Sequence, residues 1–297
     1  MRIYLSLVLV MAFWGSAFPS SKIAVQSAPP EVAAFIRFLL GAAVLVALGG
    51  VRRLPVRDVA AVGGLGLVGV FGYNVLFFAA LTLAPAADGS VIVPVTAPVI
   101  TVVVTAVLGR RRLAARTALG LIAAVAGGGV FLAGIPAGGG ERFAGDLVFI
   151  AGAACWAVYT IFGAPVLRRL PAFTVTTYAT LAGALALGVF ALPSFGELRW
   201  SELDTGFWLN QAYLSVLPTA LAYVVYYQAV RRVGPAVSSS AMFLVPVFGL
   251  ACSWLLLGES ITGVQAAGSV LMLAGAWLAT RPDAGVRRKS RLAEVAG

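Results

Sequence analysis

Apolar residues run through this chain in blocks of about twenty, separated by short clusters of Gly, Pro and Arg. A bilayer core of about 30 Å takes about 20 apolar residues per helix. Ten runs meet that requirement: 3–25, 31–48, 59–81, 86–108, 117–132, 145–167, 174–192, 206–230, 236–257 and 263–280. They predict an all-α integral membrane protein of ten transmembrane helices, with hardly any chain left for a soluble domain. Met1-Arg2 before an apolar run is how a signal peptide begins. The run continues past Trp14, however, and has a counterpart in the second half, so it reads as a span.

The pattern repeats. Ala12-Phe13-Trp14-Gly15 is echoed by Ala154-Cys155-Trp156-Ala157, and Pro29 and Gly41 by Pro171 and Gly183 at the same spacing. Further on, Gly72-Tyr73-Asn74-Val75 through Pro85-Ala86 matches Ala222-Tyr223-Val224-Val225 through Pro235-Ala236. Each half holds five spans, an odd number, so the second half enters the membrane with the opposite orientation. The expected organisation is a five-helix repeat over 1–135, a second, inverted repeat over 144–280, and a basic cytoplasmic tail over 281–297.

Composition agrees with lipid as the solvent: 61% of residues are hydrophobic, only 11% are charged, and mean hydropathy is +0.98. The net charge of +10 by itself allows a nucleic-acid partner. Its distribution argues otherwise. With Met1 inside, 17 of the 21 basic residues fall on the inner side, among them Arg2, Arg53, Arg57, Arg110, Arg111, Arg112, Arg168, Arg169, Arg231 and Arg232. Lys22, Arg142 and Arg199 fall outside, and Arg37 within a span. Lys and Arg accumulate on the cytoplasmic side, so the surplus is an orientation signal and no nucleic-acid partner is expected. Equivalent loops also exchange sign, as inverted repeats require: Pro29-Pro30-Glu31 against Arg168-Arg169-Leu170-Pro171, and Gly109-Arg110-Arg111 against Gly258-Glu259-Ser260. The zero histidine count removes His-ligated metals and His-based catalysis. Cys155 and Cys252 form no CxxC pair, and no phosphate-binding loop is present, so no cofactor, disulfide or nucleotide-driven pump is indicated and an enzyme is not expected.

Phe13-Trp14-Gly15-Ser16-Ala17-Phe18, Arg37-Phe38, Pro98, Pro246 and Leu257-Gly258-Glu259 stand in order along nearly the whole chain. In these the sequence resembles the drug/metabolite transporter superfamily in its EamA-type ten-helix form. One departure is Gly109-Arg110, where many relatives carry Gly-Glu; the positive charge suits a cytoplasmic turn. The resemblance implies a basket of ten helices around a central cavity between the repeats, open to one side at a time. Members carry very different solutes, and some bacterial members export aromatic amino acids and related metabolites. The function implied is secondary transport of small organic metabolites in a bacterial inner membrane, first among them aromatic or other amphipathic amino acids. Broad drug efflux or lipid flipping stands as the alternative, and monomer and homodimer both remain open.

Buried phenols and amides in lipid must face the bundle interior or a cavity. The third and eighth spans are richest in them, with Tyr73, Asn74, Phe77 and Phe78 on one, and Thr219, Tyr223, Tyr226 and Tyr227 at helical spacing on the other. Trp14 and Trp156 occupy equivalent deep positions, and Tyr159 follows one turn after Trp156. Ser238, Ser239 and Ser240 match Asp88, Gly89 and Ser90 at the start of the ninth and fourth spans. These aromatic and small polar residues are the candidate cavity lining, with tyrosines at a headgroup belt as the competing reading for Tyr226 and Tyr227. Arg37 and Asp88 are candidate charge partners; Arg37 is expected to snorkel outward or to pair with a carboxylate such as Glu31, or else to attract a substrate carboxylate. Pro94, Pro98, Pro218 and Pro246 are expected to interrupt helices, and Gly63, Gly66, Gly69, Gly72 and Gly127 to Gly129 to mark close helix contacts. No carboxylate is expected near a span's centre, which favours facilitated or exchange-type movement over obligatory proton antiport.

Overall fold

The computed structural model describes residues 2–49, 51, 53–109, 114–134, 139–233, 238–239 and 241–280. The predicted basic tail, together with Pro235, Ala236, Ser240 and Arg110 to Arg112, lies outside the described residues. The remainder is helical: α1 (Arg2–Ser27), α2 (Pro30–Ala47), α3 (Val56–Leu83), α4 (Ala86–Leu108), α5 (Ala115–Ala133), α6 (Gly140–Leu167), α7 (Ala172–Ala191), α8 (Thr205–Val233), α9 (Ala241–Leu257) and α10 (Gly263–Thr280). Eight of these are long and apolar enough to cross a bilayer, and α9 and α10 are shorter apolar helices.

The breaks between helices have chemical causes. Pro29, Pro85 and Pro171 cap α2, α4 and α7, where the missing N–H costs nothing. Asp204 caps α8 by accepting a bond from the Phe207 amide at 2.7 Å. Gly258 ends α9 in the left-handed region at φ +66°, a conformation that favours glycine. The start of α4 is capped from a distance, because both Glu259 carboxylate oxygens accept bonds from the Ala86 and Ala87 amides at 3.1 and 2.8 Å.

Packing obeys an approximate two-fold exchange of the halves. α1 lies on α9 as α6 lies on α4, and α3 lies on α7 as α8 lies on α2. The self-paired couples α2–α7 and α5–α10 run antiparallel. Phe35 meets Gly188 and Glu31 bonds Ser194, while Gly120 meets Ala279, Gly127 meets Met272 and Gly134 meets Gln265. Inversion of the second repeat is thus visible in which residues touch.

The α5–α10 seam is backbone against backbone. A Cβ on Gly120, Gly127, Gly268 or Gly275 would come within 2.3–2.5 Å of a backbone nitrogen on the facing helix. Without a hydrophobic drive between helices in lipid, such close approach is what van der Waals association relies on. Gly66 and Gly69 are equally tight, against Ala179 and Tyr159, whereas Gly63 and Gly129 meet nothing. The prolines depart from expectation too. α4 runs unbroken through Pro94 and Pro98, and Pro246 sits in the first turn of the α-helical part of α9, Val245–Leu257, behind the 3-10 turn Ala241–Leu244.

At the outer surface large apolar side chains are exposed, Leu119, Ile122, Val125, Leu185, Val189, Leu255 and Val270 among them. Such a surface requires lipid rather than water. Gly275→Ala should destabilise the protein by about 1–3 kcal/mol, the cost of overpacking a closed contact. Gly129→Ala, in open space, should be neutral or stabilising by up to about 1 kcal/mol through helix propensity alone. Unfolding midpoints in detergent micelles distinguish the two.

Candidate functional site

Four aromatic side chains converge where the halves meet. α1 presents Trp14 and α6 presents Trp156, and their rings meet edge to face at 5.1 Å. α3 and α8 contribute Tyr73 and Tyr223, each placed next to a widened turn of π-helix, Leu67–Gly72 and Ser215–Leu221. Such turns re-aim side chains and cluster at functional sites. Trp14 lies 5.9 Å from Tyr223, and its counterpart Trp156 lies 5.5 Å from Tyr73. Each edge contact is worth about 0.5–1.5 kcal/mol beyond burial, so the quartet is a fixed frame. Trp14 Nε1 donates to the Pro218 carbonyl in the wider turn of α8 at 3.0 Å. Trp156 Nε1 is buried beside Tyr226 and meets the distance and angle limits of a hydrogen bond with no acceptor among the described residues.

Beside this frame is a narrow cavity of about 40 Å³ with an open mouth. Its wall includes Trp14, Tyr73, Phe77, Trp156 and Tyr223 from the predicted set, and also Arg37. Ala17, Phe18, Val93, Pro94, Met242 and Val245 complete it. The guanidinium of Arg37 neither snorkels nor meets Glu31. It is buried, donates from Nε to Thr219 Oγ1 at 2.9 Å and from Nη1 to Ser21 Oγ at 3.2 Å, and lies 5.2 Å from the Phe38 ring. Among the described residues no carboxylate pairs with it. Glu31 instead bonds Ser194.

The other predicted residues lie behind the wall. Thr219 is occupied in holding Arg37, and Asn74 turns back to donate to the Val70 carbonyl at 2.7 Å. Tyr159 and Tyr227 stack on each other at 4.8 Å and 16°, and the Tyr227 hydroxyl bonds the Tyr159 carbonyl at 3.2 Å. Tyr226 packs on Trp14 at 4.9 Å and shares a 3.2 Å hydrogen bond with Ser239. All three tyrosines are buried, so neither a headgroup belt nor the cavity wall describes them. They fill the bundle between the tryptophan pair and the end that carries Arg168, Arg169, Arg231 and Arg232. Asp88 faces the opposite end, in a bidentate pair with Arg142.

The repeat register explains why the space is open on one side only. Trp14 aligns with Trp156, so Ala17 aligns with Tyr159; Tyr73 aligns with Tyr223, so Phe77 aligns with Tyr227. A methyl in the first repeat leaves room where a phenol in the second fills it. That register was readable in the sequence, although which of the two sides would be hollow was not. Arg37 aligns in the same way with Ala179, so the cavity's one cation has no counterpart.

The profile of the EamA-like transporter family matches residues 1–133 and again 143–281. The chain belongs to the EamA-like transporter family. Full-length relatives agree with that assignment. The chain is 30% identical over 292 residues to a "Probable terminal-alkyne amino-acid exporter" of Streptantibioticus cattleyicolor, covering 96% of this chain and 95% of that one. It is 27% identical over 286 residues to the uncharacterized transporter YyaM of Bacillus subtilis, covering 93% and 92%. It is also 27% identical over 279 residues to a "Probable amino-acid metabolite efflux pump" of Salmonella typhimurium, covering 91% and 92%. A solved crystal structure matches with TM-score 0.69 at 24% identity over 97% of this chain and 98% of that one, which shows the shared fold. This EamA-like protein is therefore a multi-pass membrane protein of a transporter family.

Giving the first repeat the bulk of the second tests the role of the hollow. Ala17→Tyr should abolish solute flux in proteoliposomes while leaving the unfolding midpoint within a few degrees of wild type. Flux at the wild-type rate would remove the cavity from the solute's path.

Proposed function

We propose that this chain carries small amphipathic solutes bearing a carboxylate, foremost aromatic and other amphipathic amino acids and their metabolites, outward by alternating access. The membrane is a bacterial inner membrane with both termini cytoplasmic, a placement supported by the 17 basic residues on one side of the predicted topology.

The observation that carries this reading is Arg37, a buried guanidinium in an aromatic cavity with no protein anion beside it among the described residues. A buried ion without a counter-ion costs several kcal/mol. Two neutral hydroxyl acceptors return about 1.5–3 kcal/mol each, which does not clearly close the gap. A substrate carboxylate closes it and gains a charge-assisted bond. The indole and phenol rings offer edges and faces to a flat or apolar side chain, and can hold its ammonium group over a ring face. Amino-acid cargo in the printed names of two relatives points the same way.

A second feature favours lipid as cargo. A groove of about 380 Å³ between α4, α5, α6 and α10 is walled by Ile92, Val95, Val125, Phe131 and Met272, with Thr96 its single polar side chain. It suits an acyl chain but has no charged group for a headgroup, so the amino-acid reading stands ahead of a flippase.

Arg37→Gln should weaken binding of phenylalanine or tryptophan by about 10- to 100-fold, the worth of one charge-assisted bond. Phenylalaninamide, which lacks the carboxylate, should not compete in wild type. Equal binding of acid and amide, or an unaltered affinity in R37Q, would sink the proposal; scrambling of fluorescent lipid by the purified protein would favour the flippase.

A further inference from the structure

Two carboxyl groups meet at the end of the bundle away from the arginine-rich loops. Asp88, in the first turn of α4, is fully buried, and each of its oxygens is already taken by Arg142, from Nε to Oδ2 at 2.6 Å and from Nη2 to Oδ1 at 2.8 Å. Asp146, on α6 one turn after Arg142, is also fully buried, and among the described residues neither of its oxygens receives a donor. The helices close on each other around this pair, with Phe149 against Gly89 and Gly145 against Ala84, which sets the Asp146 carboxyl against the Asp88–Arg142 pair. Sequence reasoning missed Asp146 because the predicted span begins at residue 145; α6 begins at Gly140, which places Asp146 nearly two turns inside it.

The charges facing this pair are few. Glu259, from the turn after α9, approaches Asp88 and is held by the α4 amides. Lys22 of α1 faces Glu259 and donates to the Leu81 and Ala84 carbonyls. Three carboxyls thus stand against two cations, an excess of one negative charge. Ionised carboxylates only accept hydrogen bonds, so two of them in contact repel and leave each other unsatisfied. One proton removes both problems: it cancels the excess charge and makes Asp146 a donor toward Asp88.

We propose that Asp146 and Asp88 form a one-proton binding site between α6 and α4, with Asp146 as the carrier. The closed α4–α6 contact is the proton-bound state. Release of the proton leaves adjacent buried anions, which separate the two helices to reach water. The cavity lies within reach of this event. Phe149, one turn along from Asp146, fills the hollow over Gly89 and touches the cavity residue Phe77 at 6.1 Å. α4 itself supplies Val93 and Pro94 to the cavity wall. The site needs no carboxylate at a span's centre to make transport respond to protons.

Infrared difference spectra of the purified protein in nanodiscs, titrated with pH, test the site without any solute. Wild type should show a protonated-carboxyl band at neutral pH that is lost on alkaline titration. Asp146→Asn keeps the shape and a donor for Asp88 and should lack that band, whereas Asp58→Asn, removing a carboxylate paired with Arg169 at the other end, should retain it. No protonated carboxyl in wild type, or a band that persists in D146N, overturns the site, and the wild-type titration alone decides if the variant does not fold. At one alkaline pH, amides 88–90 of α4 should exchange with deuterium several-fold faster in wild type than in D146N; equal rates overturn the opening.

Discussion

Trp14 and Trp156 meet edge to face at the axis that exchanges the two halves of the chain, and the rest of the interior is arranged around that contact. A pair of indoles can share a symmetry axis without strain, but the residues flanking them need not be equal. The first repeat places Ala17 one turn after its tryptophan, and the second places Tyr159 at the equivalent position with Tyr227 stacked on it. One flank is hollow and the other is filled. The cavity is therefore a difference between two copies of the same five-helix unit, and its position follows from a handful of side-chain volumes.

The polar groups obey the same logic under a stricter rule. Lipid cannot satisfy a buried ion, so each one must be compensated within the bundle or by what the bundle carries. Asp58 does so with Arg169 at 3.1 Å, and Glu259 with the amides that open α4. Among the described residues, Arg37 and Asp146 are buried ionisable groups whose protein partners fall short, the first by a missing anion and the second by a missing donor. The proposed cargo carboxylate would answer the first and the proposed proton the second. The two sites lie on different helices and connect through the Phe77–Phe149 ring contact and the body of α4.

Much of this was legible in the residues. Runs of apolar side chains forecast every described helix to within five residues at its ends, because the bilayer leaves a spanning segment little choice of length or composition. The repeat and its inversion were legible through Trp14 and Trp156, through paired prolines, and through the alternation of loop charge. The wider turns before Tyr73 and Tyr223 were not, since Leu67–Gly72 carries no proline and Pro218 alone marks the second. Nor was the fate of Arg37 or Asp146, because whether a charge near a helix end snorkels or turns inward depends on the facing helix: Thr219 receives Arg37, and Asp88 faces Asp146.

The alignment of Arg37 with Ala179 bears on the rates of a carrier that exposes one site to each side in turn. In a carrier whose halves exchange conformations, the mirrored space has Ala179 in place of the Arg37 guanidinium and the Tyr159 and Tyr227 rings in place of the hollow. For the anionic cargo proposed above, such a carrier would have a tight half-saturation constant on one face and a loose one on the other. Equilibrium across the membrane is untouched, because the ratio of maximal rates must offset the ratio of constants. Near saturation such a carrier passes the same solute at unequal speeds in its two directions, a rectification written into a single Arg-for-Ala difference between the repeats.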